Sequence, residues 1–184
     1  MERIKSLKIA LFPLLALWAV EIVNLILNHS LVQWGILPRQ LSGLIGIPLS
    51  PWIHGDLYHA LSNSLPLLIL GIAVALDGRK HFIRLTAFVT LVGGAMIWLI
   101  GRSAYHIGAS SLVFGFFGYL LAKGMFHRDF RSIAIALAVI FFYGGLVYGL
   151  LPLASHISFE GHFFGMAAGA VYAYLTRRRE DSKS

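Results

Sequence analysis

The chain has 184 residues, of which 58% are hydrophobic and only 12% charged, about half the charged share of an ordinary soluble domain. With a mean hydropathy of +0.76, a chain this short cannot hide its apolar surface in one aqueous core, because small domains leave much of their surface in water. Disorder needs the opposite balance, low hydrophobicity with high charge, so an integral membrane protein remains. The absence of cysteine excludes disulfides, thiolate metal sites and cysteine nucleophiles. The net charge of +7 does not mark a nucleic-acid partner: the basic residues lie between apolar runs, with no contiguous patch interleaved with stacking aromatics.

A bilayer core about 30 Å thick takes roughly 20 apolar residues per helix. Six runs meet or approach that length: 9–27, 57–76, 82–100, 108–122, 133–150 and 162–175. They do not alternate in segments of about ten residues as barrel strands do, so the expected fold is all-α, a polytopic bundle of six transmembrane helices forming one membrane domain over residues 1–184.

The first run follows Arg3, Lys5 and Lys8. It is longer than a signal-peptide core and five more spans follow, so it is read as a retained helix. Glu21 and Asn24 lie inside it, and the expected role of Glu21 is a structural hydrogen bond facing the bundle, since a carboxylate in lipid is costly. The connection from Asn28 to Asp56 contains Trp34, Pro38, Pro48, Pro51 and Trp52. Loops this long carry function or structure of their own, and the tryptophans suit the membrane interface.

The second span opens His54-Gly-Asp-Leu-Tyr-His59-Ala-Leu-Ser-Asn63. Residues four apart share a helix face, so His59 and Asn63 project together, either bonding one another and gluing helices or donating hydrogen bonds to something else. The fourth span opens Gly108-Ala109-Ser110-Ser111, preceded by His106. Ser110 would stand at a helix start, its own amide among the donors a helix leaves unused, a placement that suits a developing negative charge. Ser111, Gly115, Gly118 and Ala122 make a stripe of small residues on this span. The sixth span carries Gly161, Gly165, Gly169 and Ala173 in a small-xxx-small series, which permits close backbone approach. His162 shares a face with Gly165 and Gly169. If the two small stripes pack together, His162 comes down on the Ser110 turn, and a serine within reach of a histidine is an activated nucleophile.

These polar residues converge. With alternating span directions, His54, His59, His106, His156 and His162 all fall toward one end of the bundle, where polar groups face the bundle interior or a wet cavity. His54, Ser62, Ser64 and Ser103 are candidate lining for water at that depth. Thirteen of the 15 Lys and Arg residues fall on the other face, leaving Arg39 and Arg102 opposite. By the positive-inside rule both termini are cytoplasmic. No targeting extension precedes the first span, so a prokaryotic plasma membrane is expected.

These residues resemble the rhomboid intramembrane serine proteases. The likeness covers essentially the whole chain and rests on three motifs in order: His54 with His59-xxx-Asn63, Gly108-Ala109-Ser110, and His162-xx-Gly165-xxx-Gly169. The resemblance implies a catalytic dyad of Ser110 and His162, oxyanion stabilisation by His59, Asn63 and the Ser110 amide, and no cofactor or metal. It implies transmembrane proteins as substrates, cut near the external face, with the lipid bilayer as surroundings. The family's usual Gly-x-Ser-Gly reads Gly-Ala-Ser-Ser here, and Phe114 stands where an aromatic often packs on the histidine. No third triad member is evident, Glu160 being too near His162 in the chain to face it. Two rivals are weighed beside this reading. One is a non-catalytic rhomboid-like binder of transmembrane clients. The other is a metal site or transporter built on His54, His59, His162 and Glu160, which lacks the His-Glu-x-x-His pattern and repeated halves.

Overall fold

The structure is a computed structural model and describes residues 7–127, 129–151 and 158–181. His156 and part of the basic set, Arg3, Lys5, Arg128 and Lys183, lie outside them.

Six helical segments stand where the apolar runs predict them. They are α1 (Leu11–Ile26), α2 (Leu57–Ala75), α3 (Arg79–Ile100), α4 (Ser110–His127), α5 (Phe130–Leu150) and α6 (Phe159–Asp181). Among the described residues no strand forms, and Ile36 and His106 make an isolated antiparallel bridge. The fold is an all-helical membrane bundle. By length and apolarity α2, α3 and α5 are sufficient to cross a membrane, and α1 is a shorter apolar helix of 16 residues.

The spans differ from the expected limits at α4 and α6, which run on past their apolar stretches to His127 and Asp181. Backbone hydrogen bonding continues a helix beyond the point where hydrophobicity stops, so hydropathy alone ends it too soon. The glycine content of α4 has a packing cause. Nearly every residue from Leu112 to Gly124 is buried, making α4 the central helix, where neighbours rather than lipid set the residue type. Apolar residues from all six segments join it in one core, including Leu17, Leu67, Leu85, Phe116, Val139 and Ala173.

α3 carries a π-turn at Val89–Gly93. Polar braces tie the segments together. Trp18 Nε1 of α1 donates to Ser64 Oγ of α2 at 3.1 Å. Asp77, just after α2, accepts Tyr119 Oη–H at 2.7 Å and Lys123 Nζ at 2.5 Å from α4. Lys123 is therefore an ion-pair partner inside the bundle.

The connection from α1 to α2 carries structure of its own, as its length predicts: 3-10 turns at Ser30–Trp34, Leu41–Ile45 and Ser50–Trp52, with a single α-turn at Gly46–Leu49. Asn24 anchors both ends of it. Its amide Nδ2 donates to the His54 carbonyl at 2.8 Å, and its Oδ1 accepts the Leu31 N–H at 3.0 Å. Glu21 faces the bundle as expected, with Asn24 as its polar neighbour, but no hydrogen bond of close geometry forms. It is fully buried, neither carboxylate oxygen meets a hydrogen-bond partner among the described residues, and His29 Nδ1 is 4.0 Å away.

Candidate active site

The site begins with the α4–α6 interface, where small residues let two backbones touch. A Cβ on Gly165 would overlap the Ser111 carbonyl oxygen, one on Gly169 the Gly115 carbonyl oxygen, and one on Gly118 the Met166 carbonyl oxygen. The two small stripes do pack together, and only hydrogen in place of a side chain allows that approach. Fixing Gly165 on Ser111 brings the start of α6 to the start of α4.

His162 follows from that placement. Its ring stacks on Phe114, one helical turn beyond Ser110, with centroids 4.1 Å apart and planes 6° from parallel. The ring is nearly buried, 9% exposed. Its Nδ1 lies 2.7 Å from the Gly149 carbonyl oxygen at the end of α5. A carbonyl only accepts, so Nδ1 carries the proton and Nε2 of the neutral ring keeps its lone pair. The position of Gly149 was not readable from sequence: any residue has a carbonyl, and this one lies 13 positions away in an apolar 3-10 turn.

The other wall is the loop before α4. Gly108 has φ +107°, a backbone conformation that suits glycine. The His59 ring closes over it: a Cβ there would sit 2.7 Å from both Cε1 and Nε2 of His59. Gly108→Ala is therefore expected to destabilise the protein by about 1–3 kcal/mol and to push His59 aside. The unfolding midpoint in detergent checks this, an unchanged midpoint meaning that the turn relaxes freely. Next to Gly108, the Ala109 N–H donates to His54 Nε2 at 3.1 Å. His54 is fully buried and meets His59 edge to face, centroids 4.9 Å apart. Burial first, then the neighbouring His59, hold its pKa down to about 3, so it stays neutral as an acceptor throughout the physiological range.

Asn63 shares the face of His59 as its spacing predicts, and one Nδ2 proton goes to the His59 carbonyl at 3.0 Å. The amide retains a second N–H. Ser110 opens α4 and lines a small cleft with Ser50, His106, Ser111, Ser158 and Gly161. The serines expected to line water sit elsewhere than this cleft. Ser62 Oγ donates to the His59 carbonyl, Ser64 Oγ to the Ala60 carbonyl, and Ser103 Oγ accepts from Arg39. None of the three borders the cleft; Ser50, Ser111 and Ser158 do, from a loop turn and two helix starts that only the fold brings together. The residues of the metal reading have protein partners: His54 takes the Ala109 amide, His162 Nδ1 the Gly149 carbonyl, and Glu160 Oε1 accepts the Arg102 N–H at 3.2 Å. The Glu160 carboxylate also stands 3.8 Å from Arg102 Nε.

The fold defines a helical membrane bundle whose central helix begins with a half-buried serine, with a histidine stacked on Phe114 one turn further along. Residues 38–179 match the rhomboid domain family, and the chain belongs to that family. It is 38% identical over 168 residues to an uncharacterized protein of Mycobacterium tuberculosis, covering 86% of this chain and 70% of that one. It is 29% identical over 142 residues to a putative rhomboid protein of Acanthamoeba polyphaga mimivirus, covering 73% and 76%. RHOMBOID-like protein 1 of Arabidopsis thaliana is 27% identical over 128 residues, covering 67% of this chain and 32% of that protein.

Proposed function

We propose that this rhomboid protein is an intramembrane serine endopeptidase that cuts transmembrane substrates near the external membrane face. The observation that carries the reading is the His162 imidazole, seated on Phe114 one turn beyond Ser110 and held through Nδ1 by the Gly149 carbonyl. A ring so oriented has its basic nitrogen available and its tautomer chosen, the role an acidic third residue plays in a triad.

In this reading Ser110 Oγ attacks the scissile carbonyl carbon while His162 Nε2 takes its proton. The proton then passes to the leaving amine, and water repeats the sequence to release the acyl group. The tetrahedral oxyanion is held by the Ser110 N–H, the His59 ring and the second N–H of Asn63. A substrate helix has its carbonyls locked in its own hydrogen bonds, so it must unwind locally to reach Ser110. In this reading the excess of Lys and Arg at one end of the bundle marks that end as cytoplasmic, with both termini there and the Ser110 end outside.

The test is reconstitution in liposomes with a single-span reporter carrying helix-weakening residues near its external end. Cleavage that resists chelator and is blocked by a serine-reactive fluorophosphonate supports the reading. Chelator sensitivity favours a metal site, and no cleavage together with client binding favours a non-catalytic binder. Asn63→Ala is expected to slow the reporter reaction about 10²- to 10³-fold, the usual effect of losing one oxyanion donor. Its helix should be little disturbed, because among the described residues the amide bonds its own helix, at the His59 carbonyl. Unchanged turnover removes Asn63 from the oxyanion assignment.

A further inference from the structure

The loop that leads into Ser110 and the helix start that carries His162 are joined by a contact between His106 and Ser158. His106 stands four residues before Ser110, and its backbone is fixed from both sides: the Ile36 N–H donates to the His106 carbonyl at 3.0 Å and the His106 N–H to the Ile36 carbonyl at 2.9 Å. Its Nε2 lies 3.0 Å from the Arg102 carbonyl oxygen and its Nδ1 2.6 Å from Ser158 Oγ. Since a carbonyl only accepts, Nε2 carries the proton, and the neutral ring offers a lone pair at Nδ1 to the Ser158 hydroxyl. Ser158 Oγ also accepts the Gly161 N–H at 3.1 Å, which is the N-cap bond of α6. Two residues beyond the cap, in the first turn, Glu160 reaches back to the Arg102 N–H, with its carboxylate 3.8 Å from Arg102 Nε.

We propose that His106 and Ser158 are positioning residues, a hydrogen-bonded clasp that fixes the first turn of α6 on the loop entering α4 and so holds His162 in register with Ser110. The proposal rests on the protease reading. Its physical need is plain: the glycine contacts that join α4 and α6 begin at Gly165 and run away from the site. His162 lies on the far side of Gly165, in the turn where a helix frays unless its end is tied. Ser158 supplies that tie, and His106 gives it a fixed anchor.

The clasp is also sensitive to acid. Among the described residues, the titratable or charged groups acting on His106 are Arg102 from its own loop and Glu160 from α6; Ile36 pairs with its main chain. Burial holds the His106 pKa below its ordinary value, so the ring is neutral near pH 7. Protonation places a hydrogen on Nδ1, and Ser158 Oγ, already accepting from Gly161, must then accept from His106 and leave its own hydrogen without that acceptor. The sign follows from the lowered folded pKa. The clasp's contribution is complete above the ordinary histidine pKa and is lost as pH falls from there toward the folded value.

The experiment compares wild type, Ser158→Ala and Ser158→Thr in lipid nanodiscs. It reads the 15N shifts of the His106 ring (identified by loss in His106→Gln), amide hydrogen exchange over residues 159–165, and the rate of fluorophosphonate labelling at Ser110. Expected are a His106 ring protonated on Nε2 at pH 7, faster exchange at Gly161 and His162 in Ser158→Ala, and labelling slowed about ten- to a hundredfold. Ser158→Thr restores the hydroxyl and should recover both rates. Unchanged exchange in Ser158→Ala overturns the clasp, as does a His106 proton found on Nδ1 alone. Faster exchange with unchanged labelling overturns the positioning role. If the wild type takes no label, the protease reading is what fails, and exchange and tautomer still decide whether the clasp exists.

Discussion

Ser110→Ala is expected to lower reporter cleavage by a factor on the order of 10⁴ to 10⁶, and His162→Ala to do the same, with the double variant no worse than either. A nucleophile and its base act as one unit, so removing the second after the first takes away nothing more. Stability separates the two variants. Ser110 opens α4 at a half-buried position, and its loss should leave the unfolding midpoint nearly unchanged. His162→Ala removes the ring from Phe114 and leaves the Gly149 carbonyl without its donor, which costs about 1–3 kcal/mol. Initial rates in liposomes with denaturation midpoints in detergent check both. Residual cleavage above a percent in Ser110→Ala would remove that hydroxyl from the mechanism.

The second large effect belongs to Gly169. In an ordinary helix, glycine to alanine is favourable by about 1 kcal/mol; here the sign should reverse. A Cβ at 169 would overlap the Gly115 carbonyl oxygen and come within 2.9 Å of the Tyr119 nitrogen. Both are backbone atoms of the central helix, with no side-chain rotamer to turn away. Gly169→Ala must force α4 and α6 apart, costing about 1–3 kcal/mol as overpacking does, and Gly169→Val more. Because the same interface carries the His162 ring onto Phe114, cleavage should fall in step with the midpoint. Gly145→Ala is the control, its Cβ meeting nothing within 4 Å. A Gly169→Ala protein as stable as wild type would mean that the helices are not in backbone contact.

Much of the candidate site was legible because the proposed chemistry rests on spacing within single helices. His59 and Asn63 four apart, Ser110 at a helix start, and His162 on the glycine face of α6 are each local patterns, and the matching small stripes of α4 and α6 indicated which helices meet. What escaped is contact between groups with no local signature. The Gly149 carbonyl is one; the Ser158 hydroxyl, an N-cap whose second partner is 52 residues away, is another. His54 reads as a polar residue in a wet region, whereas it is fully buried and accepts the Ala109 amide.

The amino-acid sequence by itself determined that the chain lives in a membrane, that its segments are helical, and which helix faces are thin enough to touch. Composition and period carry that information, since lipid demands apolar length and satisfied backbone. Only the tertiary structure decided which nitrogen of His162 is protonated, what closes over Gly108, and which serines border the cleft beside Ser110. Those depend on carbonyls and hydroxyls brought from distant loops to within 3 Å or so. A hydrogen bond is set by direction and distance in space, and neither is written in residue order.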